Sequence, residues 1–231
     1  MIGYYNYTVV LTYLSLLSAG AGIFVTLSGG GHPYLGVMFL LLCGLCDAFD
    51  GKVARMKKDR SEMECKFGVQ IDSLSDLVAF GVLPACIGGA MLRRSQLFDA
   101  SKGIADKICI GALFAILVLY ILAAMIRLAY FNVTEEERQK KEDGARKTFT
   151  GLPVTSAALI FPSLLLIDFV LKGIDLTLIY FVVILITAFL FLAKFQMKKP
   201  GLKGILIMLI AGTIELAAFI ILWKLSAGGC R

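Results

Sequence analysis

Long apolar runs separated by short polar stretches are the dominant pattern along this chain. Seven of them approach or exceed the roughly 20 residues that a helix needs to cross a bilayer. They lie at about 8–28, 34–55, 70–93, 107–131, 152–172, 176–196 and 203–225. Lipid-exposed backbone must satisfy its own hydrogen bonds, so we expect helices. The pattern predicts an all-α fold, a polytopic transmembrane helix bundle.

Composition supports this class and leaves little room for a separate soluble domain. Hydrophobic residues make up 58% of the chain and charged residues only 17%, whereas a soluble domain carries about 25% charged residues. We therefore expect residues 1–231 to form a single integral-membrane domain.

The basic residues predict how the helices are oriented. Sixteen of the Lys and Arg residues lie at one set of helix ends and loops, at 52–66, 127–147 and 194–203, and seven lie at the opposite set. Loops rich in Lys and Arg face the cytoplasm. We expect residence in the cell (plasma) membrane, with the 52–66 segment on its cytoplasmic side. The net charge of +6 follows this topology and suits contact with anionic lipids rather than nucleic acid.

Four aspartates occur where the second and third apolar runs approach each other. Asp47 and Asp50 lie near the end of the second run, and Asp72 and Asp76 lie near the start of the third. In a helix Asp72 and Asp76 share one face, four residues apart. A polar loop from Met56 to Phe67 would let the two acidic faces meet.

Small residues accompany the aspartates on the same predicted faces. Gly51, Ala54 and Arg55 follow Asp47 at i+4, i+7 and i+8, and Gly68 precedes Asp72 by four residues. The small side chains leave space for a bulky ligand beside the carboxylates. Arg55 could hold an oxygen of a phosphate group.

Clustered carboxylates near lipid repel one another and are costly to desolvate. Either protonation or divalent cations would relieve this cost. Oxygen-only ligands favour Mg²⁺, Mn²⁺ or Ca²⁺, and two such ions about 3.5–4 Å apart are a common arrangement for chemistry on phosphates. The alternative is that these aspartates are ordinary helix-end carboxylates paired with Lys57, Lys58 or Arg60.

The spacing D-x2-D-G-x2-A-R followed by G-x3-D-x3-D resembles the signature of the CDP-alcohol phosphotransferase family. One departure is the twelve residues between Arg55 and Gly68, where the family usually has roughly eight or nine. Three further stretches, DSLSDLVAFGVLPA, RLAYFNV and FTGLPVTSAA, resemble its phosphatidylserine synthase branch.

The resemblance implies a fold, a reaction and its reactants. The fold is a six-helix catalytic core with about one further span, at about 203–225. The reaction converts CDP-diacylglycerol and L-serine to phosphatidylserine and CMP. A homodimer among membrane lipids is the implied assembly.

The resemblance also implies roles for the signature residues. Two divalent ions, Mg²⁺ or Mn²⁺ with Ca²⁺ as an option, would act with an aspartate base, Asp76. The implied metal ligands are Asp47, Asp50, Asp72 and Asp76. The implied neighbours of the CDP group are Gly51, Ala54, Arg55 and Gly68.

Two residues near the end of the fourth run are candidates for the acceptor or phosphate site. Arg127 could capture the carboxylate of serine or a substrate phosphate. Alternatively, it extends to the membrane interface without a further role. Asn132 follows closely and could assist it.

Other functions stay open at this point. The same chemistry could use another acceptor, glycerol 3-phosphate or inositol phosphate. From other classes, the aspartates could form the ion site of a cation transporter, or the protein could be a non-catalytic scaffold or lipid-binding protein.

Overall fold

The computed structural model describes residues 3–57, 59, 61–95, 97, 103–141, 148–171, 175–198 and 202–228. Within these ranges the chain forms eight α-helices and two short strands. The helices are α1 (Val10–Leu27), α2 (Pro33–Met56), α3 (Glu62–Asp76), α4 (Leu83–Arg94), α5 (Ile104–Gln139), α6 (Ala157–Val170), α7 (Thr177–Leu192) and α8 (Leu202–Gly228).

The predicted membrane helix bundle is confirmed. Four helical segments are long and apolar enough to cross a membrane: Tyr7–Leu27, Pro33–Ala54, Glu62–Arg94 and Ile104–Gln139. Three shorter apolar helices, Val154–Val170, Thr177–Leu192 and Ile207–Ile221, follow them. In the described part of the chain, these seven segments lie at the seven predicted positions.

The predicted loop between the acidic helices is wrong in its bounds. Helix α2 continues to Met56, and α3 already begins at Glu62, so the connection is short. A capping box explains the early start, because the Ser61 hydroxyl accepts from the backbone N–H of Glu64 and the Glu64 carboxylate accepts from that of Ser61. Six of the residues assigned to the loop, from Glu62 to Phe67, therefore belong to α3, and Met56 is the last residue of α2.

Helix α5 extends eight residues beyond the predicted end of its span, to Gln139. The extension is polar and carries ion pairs of Arg138 with Glu135 at 2.6 Å and of Lys140 with Glu136 at 3.0 Å. Such pairs one turn apart support a solvated helix. Hydropathy located the apolar part of α5 but not the whole helix.

A small β-ribbon is an addition to the predicted all-α fold. Strands β1 (Thr148–Thr150) and β2 (Gln196–Lys198) pair antiparallel, with Phe149 opposite Met197. Just after β1, the backbone N–H of Gly151 donates to the carbonyl of Phe195 at 2.7 Å. Gly151 has φ +74°, and a Cβ there would lie 2.9 Å from the carbonyl oxygen of Ala193. Only glycine adopts this conformation at little cost.

Close packing of α1 on α2 depends on two glycines. A Cβ at Gly36 would lie 2.1 Å from Oγ1 of Thr26, and one at Gly22 would lie 2.7 Å from Cβ of Phe39. Small residues let membrane helices approach closely. Ser18 adds an interhelical hydrogen bond to the carbonyl of Phe39 at 3.2 Å.

A π-helical turn, Leu77–Val82, joins α3 to α4 without a break. Pro84 has no N–H, so the carbonyl of Phe80 lacks the donor that an α-helix would supply. The Tyr120 hydroxyl donates to this carbonyl at 2.6 Å, and the N–H of Leu83 donates to Val78 in the five-residue π pattern. The turn begins directly after Asp76, and π turns are frequent at functional sites.

The last helix, α8, packs on α2 and α6. One polar contact joins it to α6, a hydrogen bond from the Ser163 hydroxyl to the Glu215 carboxyl group. The second carboxyl oxygen of Glu215 is buried and has no partner among the described residues. The hydrogen bond from Ser163 therefore gives Glu215, near the middle of α8, a structural role.

Candidate metal centre

Three of the four predicted aspartates come together at one end of the bundle. Carboxylate oxygens of Asp47 and Asp50 on α2 and of Asp72 on α3 all lie within 4.8 Å of one another. The three side chains are half-buried. Because α2 and α3 are joined by a short connection, their acidic faces meet, as their helical spacing predicts.

The donor set of this cluster fits a hard divalent cation. All of its side-chain donors are carboxylate oxygens, the ligand type that Mg²⁺ and Mn²⁺ prefer. In the part of the chain that the structure describes, no ion pair joins Asp47, Asp50 or Asp72 to a basic side chain. Three carboxylates held this close need an opposing charge or a proton. Of the basic residues named in the alternative interpretation, Lys57 pairs with Glu64 at 3.0 Å, and Lys58 and Arg60 lie outside the described residues.

Asp76 lies one helical turn beyond Asp72, at the last residue of α3. Its side chain is 8% exposed, which makes it the most buried of the four aspartates. Among the described residues it is not part of the group whose oxygens lie within 4.8 Å of one another. Its roles as a metal ligand and as a base therefore remain predictions.

A cavity of about 410 Å³ adjoins the cluster and includes Asp50 and Asp72 in its wall. Three of the predicted CDP-binding positions, Gly51, Ala54 and Gly68, also line it. Their small side chains leave space next to the carboxylates, as predicted. Arg55 lies on α2, but its side chain is outside the described part of the structure.

The rest of the wall was not predicted as part of the site. It comes from three directions: the N-terminal segment and α1, the first turns of α3, and the end of α5. The residues are Thr8, Val9, Thr12, Cys65, Val69 and Gln139. Gln139 could not be foreseen because it lies on the unpredicted extension of α5. The Ser61-x-x-Glu64 capping pattern was the available signal that Cys65 belongs to a helix.

Asn132 joins α5 to α3 beside the acidic cluster. Its side-chain amide donates to the hydroxyl of Ser73 at 2.8 Å, and Ser73 is the residue after Asp72. The contact fixes the distance between α5 and the face of α3 that carries the aspartates.

Arg127 is buried, with 6% of its surface exposed. Its Nε donates to the carbonyl of Leu152 at 3.1 Å, and its guanidinium lies 5.7 Å from the ring centre of Phe131. A side chain that extended to the membrane interface would be exposed, so burial argues against that interpretation. Arg127 instead connects α5 to the segment that follows β1.

These features define a class of protein: an integral-membrane helix bundle with a carboxylate centre beside a ligand-sized cavity. The chain belongs to the CDP-alcohol phosphatidyltransferase family, whose sequence profile matches residues 5–226.

Curated relatives agree on the kind of enzyme. A CDP-diacylglycerol–serine O-phosphatidyltransferase of Saccharomyces cerevisiae is 35% identical over 158 residues, which cover 64% of this chain and 50% of that protein. An archaetidylserine synthase of Methanothermobacter thermautotrophicus is 35% identical over 157 residues, 68% of this chain and 57% of that protein. A CDP-diacylglycerol–serine O-phosphatidyltransferase of Mycobacterium leprae is 25% identical over 231 residues, 94% of this chain and 71% of that protein.

The chain spans about half the length of the first two of these relatives. No solved structure matches the chain.

Proposed function

We propose that this protein transfers the phosphatidyl group of CDP-diacylglycerol to the hydroxyl of L-serine, giving phosphatidylserine and CMP. The observation that carries the proposal is the meeting of Asp47, Asp50 and Asp72 beside a cavity of about 410 Å³, whose wall includes Asp50 and Asp72. Family membership and the serine-using relatives support the choice of reaction and acceptor.

In this proposal Asp47, Asp50, Asp72 and Asp76 would hold two divalent ions, Mg²⁺ or Mn²⁺. When bound, such ions neutralise charge on the diphosphate of the donor and on the departing CMP. The chain itself contributes an oxygen cage fixed on two helices and small residues that admit the diphosphate.

Asp76 is our proposed base. The only histidine, His32, precedes α2, while the aspartates lie at the other end of that helix, so no histidine is within reach. The serine hydroxyl oxygen forms a bond to the phosphorus that carries diacylglycerol. The bond from that phosphorus to the bridging oxygen breaks, CMP leaves with this oxygen, and Asp76 takes the hydroxyl proton.

Arg127 and Asn132 are proposed to border the acceptor side of the site. Asn132 contacts Ser73 beside Asp72, and Arg127 is a buried cation of the kind that pairs with a carboxylate. Arg55 is proposed to bind a phosphate oxygen of the donor.

The proposed setting is the plasma membrane, with the carboxylate centre on the cytoplasmic side and the protein as a homodimer. The excess of basic residues at this end of the helices supports the orientation. A cation transporter is the less favoured alternative, because the carboxylates lie toward the helix ends, beside a cavity, in a chain whose relatives are transferases.

A purified-protein assay tests the reaction. The protein is placed in nanodiscs with CDP-diacylglycerol and Mg²⁺, and labelled serine, glycerol 3-phosphate and inositol phosphate are offered in turn. We expect label in lipid from serine only, with one CMP released per lipid formed. Incorporation from glycerol 3-phosphate but not serine would overturn the acceptor assignment.

Asp72→Asn tests the assignment of the centre in the same assay. We expect it to abolish CMP release while the protein remains inserted at wild-type amounts. CMP release at the wild-type rate would refute the metal assignment.

A further inference from the structure

The segment before α1 folds back over the first turns of α3. We call Gly3–Val9 the N-terminal strap. The ring of Tyr4 meets that of Phe67 edge-on with 5.4 Å between centres, and the Tyr4 hydroxyl lies 3.5 Å from Sδ of Met63. The Tyr13 hydroxyl on α1 donates to the carbonyl of Tyr4 at 3.4 Å.

Glu64 joins this strap to the two acidic helices. Its Oε1 accepts from Nδ2 of Asn6 at 3.1 Å and from Nζ of Lys57 at 3.0 Å. Its Oε2 accepts from the backbone N–H of Ser61 at 3.0 Å. One carboxylate therefore ties together the strap, the end of α2 and the start of α3.

The Glu64 network lies at the edge of the cavity. Asn6 accepts hydrogen bonds from both the backbone N–H and the hydroxyl of Thr8, and Thr8 lines the cavity. Cys65, the neighbour of Glu64, lines it as well. Glu64 thus sets the position of two different parts of the wall without lining the cavity itself.

The ion pair of Lys57 with Glu64 is less exposed to solvent than the pair of Lys66 with Glu62 on α3. The Lys57 and Glu64 side chains are 26% and 15% exposed, whereas Lys66 and Glu62, one turn apart on α3, are 69% and 83% exposed. Exposed pairs contribute little because solvent screens them. Glu62 therefore provides a matched control, an acidic residue in the same helical turn that lies outside the network.

We infer that Glu64 is a positioning residue that holds the strap and the start of α3 in place around the CDP part of the donor. This inference rests on the proposed function, since it assumes that the cavity takes a nucleotide diphosphate. Glu64 acts on the wall and not on the reacting atoms. Its loss should therefore weaken donor capture and leave the transfer step nearly unchanged.

The kinetic test compares Glu64→Ala with Glu62→Ala in nanodiscs at saturating serine. Loss of hydrogen bonds to a charged group should raise KM for CDP-diacylglycerol about fivefold or more in Glu64→Ala, with kcat within about twofold. Glu62→Ala should match the wild type. Unchanged KM, or a loss confined to kcat, would overturn the inference.

Asn6→Ala keeps the test decisive if Glu64→Ala does not fold. This variant removes the hydrogen bond between the strap and Glu64 but leaves the capping box of α3 intact. We expect it to raise KM in the same way. A wild-type KM for Asn6→Ala would contradict the role of the strap.

A binding measurement separates this inference from the proposed function. Cys65 is exposed and lines the cavity, so bound CDP should slow its alkylation, followed by mass spectrometry of its peptide. Each protein is compared with and without CDP in the presence of Mg²⁺, which cancels any effect of the substitution on the thiol itself.

Three outcomes are informative. Protection of the wild type and Glu62→Ala at a CDP concentration that does not protect Glu64→Ala supports the inference. Equal protection of all three overturns it while the proposed function stands. Failure of saturating CDP to protect even the wild type contradicts the nucleotide-linked donor itself.

Discussion

Carboxylates lie at both ends of this helix bundle, but their surroundings at the two ends differ. Asp50 and Tyr34 lie on the same helix, sixteen residues or about 24 Å apart. At the Asp50 end, oxygens of three carboxylates lie within 4.8 Å of one another. At the Tyr34 end, each of two carboxylates, Asp168 and Asp175, is held separately by donors from the protein.

The donors at the Tyr34 end come from several elements. The Tyr34 hydroxyl donates to Asp168 at 2.6 Å, and the backbone N–H of Leu176 donates to its other oxygen at 3.4 Å. Ser95 and the backbone N–H of Thr177 donate to Asp175.

The pKa of Asp175 shows that its hydrogen bonds dominate. Desolvation raises this pKa, but hydrogen bonds from the protein outweigh it, and the pKa lies below the usual value. A carboxylate satisfied by its own protein stabilises a structure. The cluster of Asp47, Asp50 and Asp72 has no ion pair with a basic side chain among the described residues. Such a cluster is suited to an added cation, and this contrast is why we assign function to one end only.

The largest expected effect comes from comparing the same substitution, Asp to Asn, at the two ends of the bundle. Asp50→Asn should reduce transfer about a thousandfold or more, because a metal ligand in a phosphate site supplies several kcal/mol of transition-state stabilisation. Asp168→Asn should stay within about threefold of the wild type, since it touches no reacting group. Initial rates of CMP release, normalised to inserted protein, measure both effects. Equal losses of activity in the two variants would contradict the assignment of function to the Asp50 end alone.

Chelation should affect only the Asp50 end. EDTA should bring transfer to background, and Mg²⁺ or Mn²⁺ should restore it. Mg²⁺ should also raise the Tm of the wild type, because a ligand at about 100 times its Kd stabilises the folded state by about 2.7 kcal/mol. Asp47→Asn should lose that increase and Asp168→Asn should keep it. Transfer at the full rate in EDTA would show that the reaction needs no metal ion.

Tyr34→Phe should weaken the opposite end without loss of activity. It removes the hydrogen bond to Asp168, and a hydrogen bond to a charged group contributes about 1.5–3 kcal/mol. We expect a lower Tm and a kcat close to that of the wild type. Tyr130→Phe, at a side chain that is 48% exposed, is the control and should leave both unchanged; a kcat lost in Tyr34→Phe alone would show that this end takes part in the reaction.

The smallest effect is expected at Glu215, the carboxyl group that belongs to neither end. Ser163→Ala removes its hydrogen bond from α6 and should cost about 0.6 kcal/mol, the average for such bonds between membrane helices. Glu215→Gln keeps a partner for Ser163 and should change stability by less than about 0.5 kcal/mol. Unfolding in mixed micelles measures both. Loss of transfer in Glu215→Gln would point to a function that the structure does not show.

Helical spacing was sufficient to predict that Asp47, Asp50 and Asp72 meet, whereas Asp76 lies outside that group among the described residues. Asp47, Asp50, Gly51 and Asp72 follow from a period of 3.6 residues once two neighbouring helices are assumed. The apolar runs likewise predicted the bundle, because only helices of that length satisfy their backbone within lipid.

The remainder of the site depends on features that hydropathy does not encode. Gln139 reaches the cavity on a polar part of α5 that lies beyond its apolar run. The N-terminal strap reaches it through contacts between residues nearly sixty positions apart, such as that of Asn6 with Glu64. The π turn after Asp76 depends on Pro84 and on a hydroxyl from α5, that of Tyr120. The contacts of Asn6 with Glu64 and of Tyr120 with Phe80 are tertiary contacts, which a hydropathy pattern does not encode.

Manganese binding followed by electron paramagnetic resonance tests the central claim most directly. Titrated with Mn²⁺, the wild-type protein should take up two ions per chain with the spin coupling of ions about 3.5–4 Å apart. The double variant Asp47→Asn/Asp72→Asn should lose both ions and the coupling. If the wild type binds no more Mn²⁺ than this variant, the two acidic helices do not form a metal centre.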